Sequence, residues 1–250
     1  MSKVERSQNL SKQEQTSFSN MQNLYQGSPI PPSEQLNNLG VYLRRQDLTR
    51  ILFISELFEL SLQVPGDIYE FGVRWGQNLS LFSSLRGIHE PYNFTRRIFG
   101  FDTFEGFVGT ESRDGAHSII REGAYAVSHG YENHLDAVLH EHQSLSPISH
   151  IKRFELIKGD VTQTLPEHLD KYPESIISLA YFDFDIFKPT AEALKMIKER
   201  LVKGSIVAFD EINHSVYPGE TVAIREVLGL NNLRLIRPRF SSTQAYYVYE

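Results

Sequence analysis

Five short apolar runs, at 67–73, 97–101, 154–158, 176–183 and 205–209, alternate with segments of helical periodicity, and this alternation constrains the chain most. The helical segments are predicted at about 76–85, 132–141, 166–172, 189–201 and 220–228. Strand–helix alternation with apolar strands predicts an α/β fold, a largely parallel sheet covered on both faces. Two further runs, Leu233–Arg237 and Ala245–Tyr249, lie close enough in sequence to close the sheet as antiparallel neighbours. A helix is predicted from about Asp47 to Leu62, stopped by Pro65-Gly66. The first 35 residues are rich in Gln, Ser and Asn and end in Pro29, Pro31 and Pro32. The division expected from this pattern is a mobile arm at 1–40 and a single domain at 41–250, with a polar lid insertion at about 103–150.

Such a sheet binds its ligand at the carboxyl ends of its strands, so the residues just past each run are the candidates. The first run ends in Glu70, Gly72 and Gly76, and glycines at a strand-to-helix turn let a ligand approach the backbone. A tight turn without a ligand explains them equally well, and the G-x-G-x-x-G fingerprint is absent. The second run ends in Asp102, placed either to accept ribose hydroxyls or to cap a turn. The third ends in Lys158-Gly159-Asp160-Val161, where Asp160 either reaches a base edge or starts a turn. The fourth and fifth end in Asp183, Asp185, Asp210 and Glu211. Four carboxylates at neighbouring strand ends repel one another unless a cation joins them, and a divalent ion with oxygen ligands is the simple expectation.

Composition narrows the classes. A net charge of −6 argues against a nucleic-acid-binding domain, and the absence of cysteine excludes thiolate metal sites and a Cys nucleophile. No apolar run approaches the ~20 residues of a membrane span, and the N-terminus lacks a signal-peptide core, so a cytoplasmic protein is expected. Six of the nine histidines fall between His117 and His150; each taken singly reads as a surface residue. Arg74, Arg113, Arg121, Arg237 and Arg239 are candidate diphosphate contacts, each more simply a surface charge.

The blocks Tyr69-Glu-Phe-Gly-Val-Arg-Trp-Gly76, Phe99-Gly-Phe-Asp-Thr-Phe-Glu-Gly-Phe107, Asp183-Phe-Asp-Ile-Phe-Lys-Pro-Thr190, Phe209-Asp-Glu211 and Tyr217-Pro-Gly-Glu220 together resemble the macrocin O-methyltransferase family. Lys203-Gly-Ser-Ile-Val-Ala-Phe-Asp-Glu211 looks like the branch acting on nucleotide-linked deoxysugars such as TDP-rhamnose. The resemblance covers about residues 66–229. It implies a class I methyltransferase, Rossmann-like fold with a mostly parallel seven-stranded sheet, an antiparallel last strand and helices on both faces. It also implies S-adenosylmethionine as cofactor, Mg2+ as a metal partner, and a sugar or nucleotide-sugar acceptor in natural-product or surface-glycan biosynthesis. Nucleic acid and membrane are not implied as partners, and a homo-oligomer is left open.

Carried onto matching positions, Glu70, Gly72 and Gly76 shape the methionine end of the cofactor pocket, Asp102 holds the ribose, and Asp160 and Val161 sit by the adenine. Asp183, Asp210 and a third carboxylate, Glu211, hold the magnesium, and Asp185 is the general base. The competing readings are a nicotinamide-dependent oxidoreductase, disfavoured by the missing glycine fingerprint and Tyr-x-x-x-Lys pair, and a non-catalytic nucleoside-binding subunit, disfavoured by the intact Asp183, Asp185 and Asp210 set.

Overall fold

Six strands form one sheet: β1 (Asp67–Phe71), β2 (Ile98–Asp102), β3 (Phe154–Lys158), β4 (Ile177–Phe182), β5 (Leu201–Phe209) and β6 (Ala245–Val248). Their spatial order is β3-β2-β1-β4-β5-β6. All neighbours run parallel except β5 and β6. The computed structural model from which this is read describes residues 10–240 and 243–250. Cα packing divides the chain into two compact units, one up to Thr49 and one from Arg50 to Glu250. The helices are α1 (Lys12–Gln26), α2 (Pro32–Gln35), α3 (Arg45–Ser61), α4 (Gln77–His89), α5 (Tyr131–Ser144), α6 (Val161–Lys171), α7 (Phe187–Ile197) and α8 (Gly219–Val227).

In the first unit, α1 occupies part of the stretch expected to be a mobile arm. Ser11 and Glu14 explain its start: the Ser11 hydroxyl accepts from the Glu14 N–H and the Glu14 carboxylate accepts from the Ser11 N–H, a reciprocal capping box. Residues 1–9 of that expected arm lie outside the described residues.

In the second unit, the sheet is apolar on both faces because strand side chains alternate. Ile68, Ile98, Leu179, Tyr181, Ile206 and Ala208 pack with Phe53, Ile54, Leu57 and Phe58 of α3 and with apolar residues of α4 and α5. Tyr69, Phe71, Phe99, Phe101, Ala180, Phe182, Val207 and Phe209 pack against α6, α7 and α8 on the other face. On that second face the rings of Phe101, Phe71, Phe182, Phe209 and Tyr247 form a ladder across five strands. Successive centroids are 5.2, 4.7, 5.3 and 6.4 Å apart, with interplanar angles of 18–25°. Aromatic pairs of this kind add about 0.5–1.5 kcal/mol beyond the area they bury. The ladder also aligns the strand ends, since Gly72, Asp102, Asp183 and Asp210 each follow one of its rings.

Among the described residues the sheet has six strands, not seven. Only Ile236 of the run Leu233–Arg237 pairs with the outer edge of β6, in an isolated antiparallel bridge to Tyr246. Pro238 follows at once and has no N–H to extend a ladder. Elsewhere the expected elements appear with shifted ends. The sixth helix starts at Val161 instead of Pro166 because Asp160 caps it, accepting from the Thr162 N–H. The fourth runs four residues past Leu85, to His89.

His168 of α6 is buried against Tyr69, Phe99 and Phe101, with Nε2 3.1 Å from the Tyr69 hydroxyl. Burial pushes its imidazole down from 6.5 to about 4. Between those values the unfolded chain takes up a proton that the folded chain refuses, so stability falls as pH drops from 6.5 toward 4. Urea unfolding across this window is expected to show a shallower pH slope in His168→Gln than in the wild type. Equal slopes would assign the acid sensitivity to other groups.

Candidate functional site

Register brings the strand-end residues together. Phe71 is level with Phe101 on one side and Phe182 on the other, and Phe182 is level with Phe209. Hydrogen bonding continues one residue further: Gly72 N–H donates to Phe101 O (2.9 Å), Asp183 N–H to Phe71 O (2.7 Å) and Asp210 N–H to Phe182 O (2.9 Å). The ends of four adjacent strands therefore present Gly72, Asp102, Asp183 and Asp210 side by side.

Glu70 lies two residues before Gly72 in that row, fully buried on the face toward α3 and α4. Neither carboxylate oxygen closes a well-formed hydrogen bond among the described residues, and the nearby Asn78 side chain, on the first turn of α4, offsets burial only in part. Burial, then the charge of Asp183, pushes its carboxyl well above the usual range. A buried carboxylate so incompletely satisfied is costly and points to a ligand that supplies a further donor. Gly72 and Gly76 both have positive φ, 96° and 76°. Gly76 is the N-cap of α4 with no side chain capping the helix, so its leading amides face the turn. Asp102 accepts the Arg74 N–H (2.7 Å) on one oxygen and the Phe104 N–H (2.6 Å) on the other, leaving further lone-pair capacity on each. Burial raises its carboxyl despite these bonds.

Asp160 and Val161 are placed less suggestively. Asp160 Oδ1 accepts from both the N–H and the hydroxyl of Thr162 (2.9 and 2.8 Å) as the cap of α6. Val161 is buried in the core against the aromatic ladder. Asp185 has φ 62°, and its N–H donates to Glu220 Oε1 at 3.2 Å. Glu220 Oε2 also accepts the Glu211 N–H at 3.0 Å, so this buried carboxylate ties the post-β4 and post-β5 turns together. Burial, then the charges of Asp185 and Asp183, raises it well above the usual range.

The cation expected at the carboxylate cluster is present as a side chain. Arg50, on α3, donates to the Tyr181 hydroxyl at 2.8 Å and to Asp210 Oδ2 at 3.0 Å. It also lies 2.8 Å from Asp210 Oδ1 and 3.5 Å from Asp183 Oδ2. Asp210 Oδ1 accepts in addition from the Tyr181 hydroxyl (2.6 Å) and Gln244 Nε2 (2.7 Å). Burial pushes both aspartates up, yet they part. Arg50, Tyr181 and Gln244 hold Asp210 below its usual range, while burial and the Asp210 charge push Asp183 above its own. Among the described residues no group of three or more His, Asp or Glu is arranged to hold a metal ion. As placed, Asp183, Asp210 and Glu211 do not fit the magnesium site expected of them, because the Asp210 carboxylate is committed to four donor contacts and a guanidinium stands between the two aspartates.

Sequence reasoning missed three residues here, Arg50, Asp114 and His214, and quoted Glu220 only as part of a motif, without a role. His214 lies 3.8 Å from Glu211 and stacks on Tyr217, outside the histidine-rich span 117–150. Buried Asp114, within the expected lid, accepts the Glu111 N–H (2.7 Å) and the Phe187 N–H, docking the insertion on the start of α7. The hydroxyls of Tyr125 and Tyr217 are hydrogen-bonded across the same side, and the Arg74 guanidinium lies over the Tyr125 ring, 4.7 Å from its centroid. Arg113 is engaged at the surface by Glu111 and Glu226.

Residues 59–231 match the family model of macrocin-O-methyltransferase (TylF). Among curated proteins, the 8-demethyl-8-(2,3-dimethoxy-alpha-L-rhamnosyl)-tetracenomycin-C 4'-O-methyltransferase of Streptomyces olivaceus is 28% identical over 161 residues. The match covers 59% of this chain and 53% of that protein, so the chain spans about half the length of this curated relative. Among solved structures, a crystal structure of the calicheamicin methyltransferase CalS11 is 41% identical with a TM-score of 0.94, covering 96% of this chain and 94% of that one. An apo structure of CalS11, described as a TDP-rhamnose 3'-O-methyltransferase, is 39% identical with a TM-score of 0.85, covering 96% of both chains. The O-methyltransferase NovP, 20% identical over 80% of this chain and 79% of its own, shares the fold at a TM-score of 0.61.

Proposed function

Because the chain belongs to the macrocin O-methyltransferase family, we propose that it transfers a methyl group from S-adenosylmethionine to a hydroxyl of a deoxysugar, free or nucleotide-linked, in natural-product biosynthesis. The observation that carries this reading is Glu70, a buried carboxylate with no well-formed hydrogen bond to either oxygen, beside the uncapped start of α4 and on the strand next to the one that ends in a second acid, Asp102. The donor set fits the cofactor's charges. Glu70 would accept from its ammonium group, the α4 amides would face its carboxylate, and Asp102 would accept from its ribose hydroxyls. When bound, the cofactor supplies a methyl group on a cationic sulfonium.

The acceptor hydroxyl is a weak nucleophile at neutral pH, and a carboxylate positioned to take its proton as it attacks lowers the barrier. We assign that role to Asp185, whose backbone Glu220 anchors. The acceptor is assigned to the side bordered by the 103–130 stretch and the Tyr125–Tyr217 pair, with lid closure part of the same reading. Among the described residues no helix is long and apolar enough to cross a membrane.

The reading is tested by incubating the protein with S-adenosylmethionine and a panel of nucleotide-linked and free deoxysugars, with mass spectrometry for the addition of one CH2 unit. Tight binding of NAD in place of S-adenosylhomocysteine would overturn it. Asp102→Ala is expected to weaken S-adenosylhomocysteine binding by about 1.5–3 kcal/mol, the loss associated with hydrogen bonds to a charged group. Asp102→Asn retains acceptors for Arg74 and Phe104 and separates the ligand effect from loosening of the turn. Unchanged calorimetric affinity in both variants would remove Asp102 from the cofactor site.

A further inference from the structure

The disagreement between the expected magnesium site and the residues found there has a chemical content of its own. Crowded carboxylates need a cation, and Arg50 meets that need from a helix on the side of the sheet that carries Tyr181. It reaches both members of the pair that a metal would bridge, at 2.8 Å from Asp210 and 3.5 Å from Asp183. Tyr181 and Gln244 complete the shell of Asp210 with neutral donors. Asp210 is neutralised and oriented by contacts the chain itself makes, and Asp183 shares the same guanidinium at longer range.

We propose that Arg50 is a built-in counter-cation that takes the place of a divalent ion between Asp183 and Asp210, so that this chain positions its strand-end carboxylates without metal at that pair.

Magnesium demands close to octahedral geometry with oxygen ligands about 2.0–2.1 Å away. Binding it through Asp210 would break contacts to Arg50, Tyr181 and Gln244 and leave a half-buried guanidinium facing a dication across a short distance. Guanidinium remains charged at any working pH, and its planar fork can hold two acceptors at once. Unlike a metal it cannot be removed by a chelator. Arg50 acts through Asp183 and Asp210 and is a positioning residue. The inference stands independently of the acceptor's identity, because it is read by ion binding and not by turnover alone.

The test is a Mn2+ titration of the full chain, followed by electron paramagnetic resonance of the free ion, on wild type, Arg50→Lys, Arg50→Met and Arg50→Met/Asp210→Asn. Wild type and Arg50→Lys are expected to bind Mn2+ only at weak, millimolar surface sites. Arg50→Met should gain a site about tenfold tighter or more, which the added Asp210→Asn removes. Exhaustive chelation of the wild type should leave its rate of methyl transfer unchanged. A single tighter-than-millimolar Mn2+ site in the wild type that Asp183→Asn or Asp210→Asn abolishes would overturn the proposal. So would a folded Arg50→Met chain that gains no ion. Should Arg50→Met fail to fold, the wild-type titration with and without Asp210→Asn decides alone.

Discussion

Asp185→Asn is expected to lower kcat by about 10²–10⁴-fold, the usual contribution of a general base, while leaving S-adenosylhomocysteine affinity close to that of the wild type. Asparagine is the informative replacement here. Asp185 sits at φ 62°, in the left-handed region that Asn tolerates well and most L residues do not. The substitution therefore preserves the backbone and the Asp185 N–H bond to Glu220 while abolishing the carboxylate. Asp185→Ala would confound lost chemistry with a strained turn. Rate is read with saturating acceptor and cofactor, and affinity by calorimetry. A kcat within threefold of the wild type, by the factor-of-ten scale of 1.4 kcal/mol, would take the base role from Asp185. His214, 3.8 Å from Glu211 at the same strand ends, would then be the next residue to substitute.

Gly72→Ala is expected to destabilise the protein by about 2–6 kcal/mol and to abolish cofactor binding. Two costs add. The first is conformational: φ is 96°, outside the range that alanine adopts without strain. The second is steric, because a Cβ at Gly72 would stand 2.1 Å from the Asp183 carbonyl oxygen and 2.6 Å from its carbonyl carbon. Those atoms belong to backbone hydrogen-bonded in the sheet, so relief requires the ends of β1 and β4 to separate. That movement would carry Asp183 away from Arg50 and Glu70 away from the turn. Gly40→Ala serves as the control, since its added Cβ meets nothing within 4 Å. Urea unfolding of both variants measures the difference. A loss under about 1 kcal/mol at Gly72 would mean the strand ends are far more compliant than their hydrogen bonding indicates.

Much of the fold was legible because its signals are local. Apolar runs of strand length, glycines at turns and prolines after helices are read within a few residues of one another. Glu70, Asp102, Asp183 and Asp210 were found by the same logic: each sits at or just before the end of a run, and the ends of neighbouring strands in a parallel sheet lie together. The seventh strand was over-read, since Leu233–Arg237 has the composition of a strand but only Ile236 pairs before Pro238. Asp160 shows the opposite limit. One Asp at a strand-to-helix turn suits either a ligand or a cap, and the Thr162 contacts show it capping.

The sequence by itself determined the order of strands and helices and which acids stand at the strand ends, because side-chain periodicity and turn chemistry act over short separations. Only the tertiary structure decided what neutralises those acids. Arg50 is 133 residues from Asp183 and 160 from Asp210 in sequence, on a helix whose pattern marks its apolar face but says nothing of where a single charge on it will land. Glu220 and Asp114 likewise acquire their partners, the Asp185 and Phe187 amides, only when the start of α8 and the turn at Asp114 pack beside the start of α7. A charge-balanced site depends on distances in space between elements, and those are set by how α3 packs on the sheet, through Phe53, Ile54, Leu57 and Phe58, and not by any pattern within α3 or the strands alone.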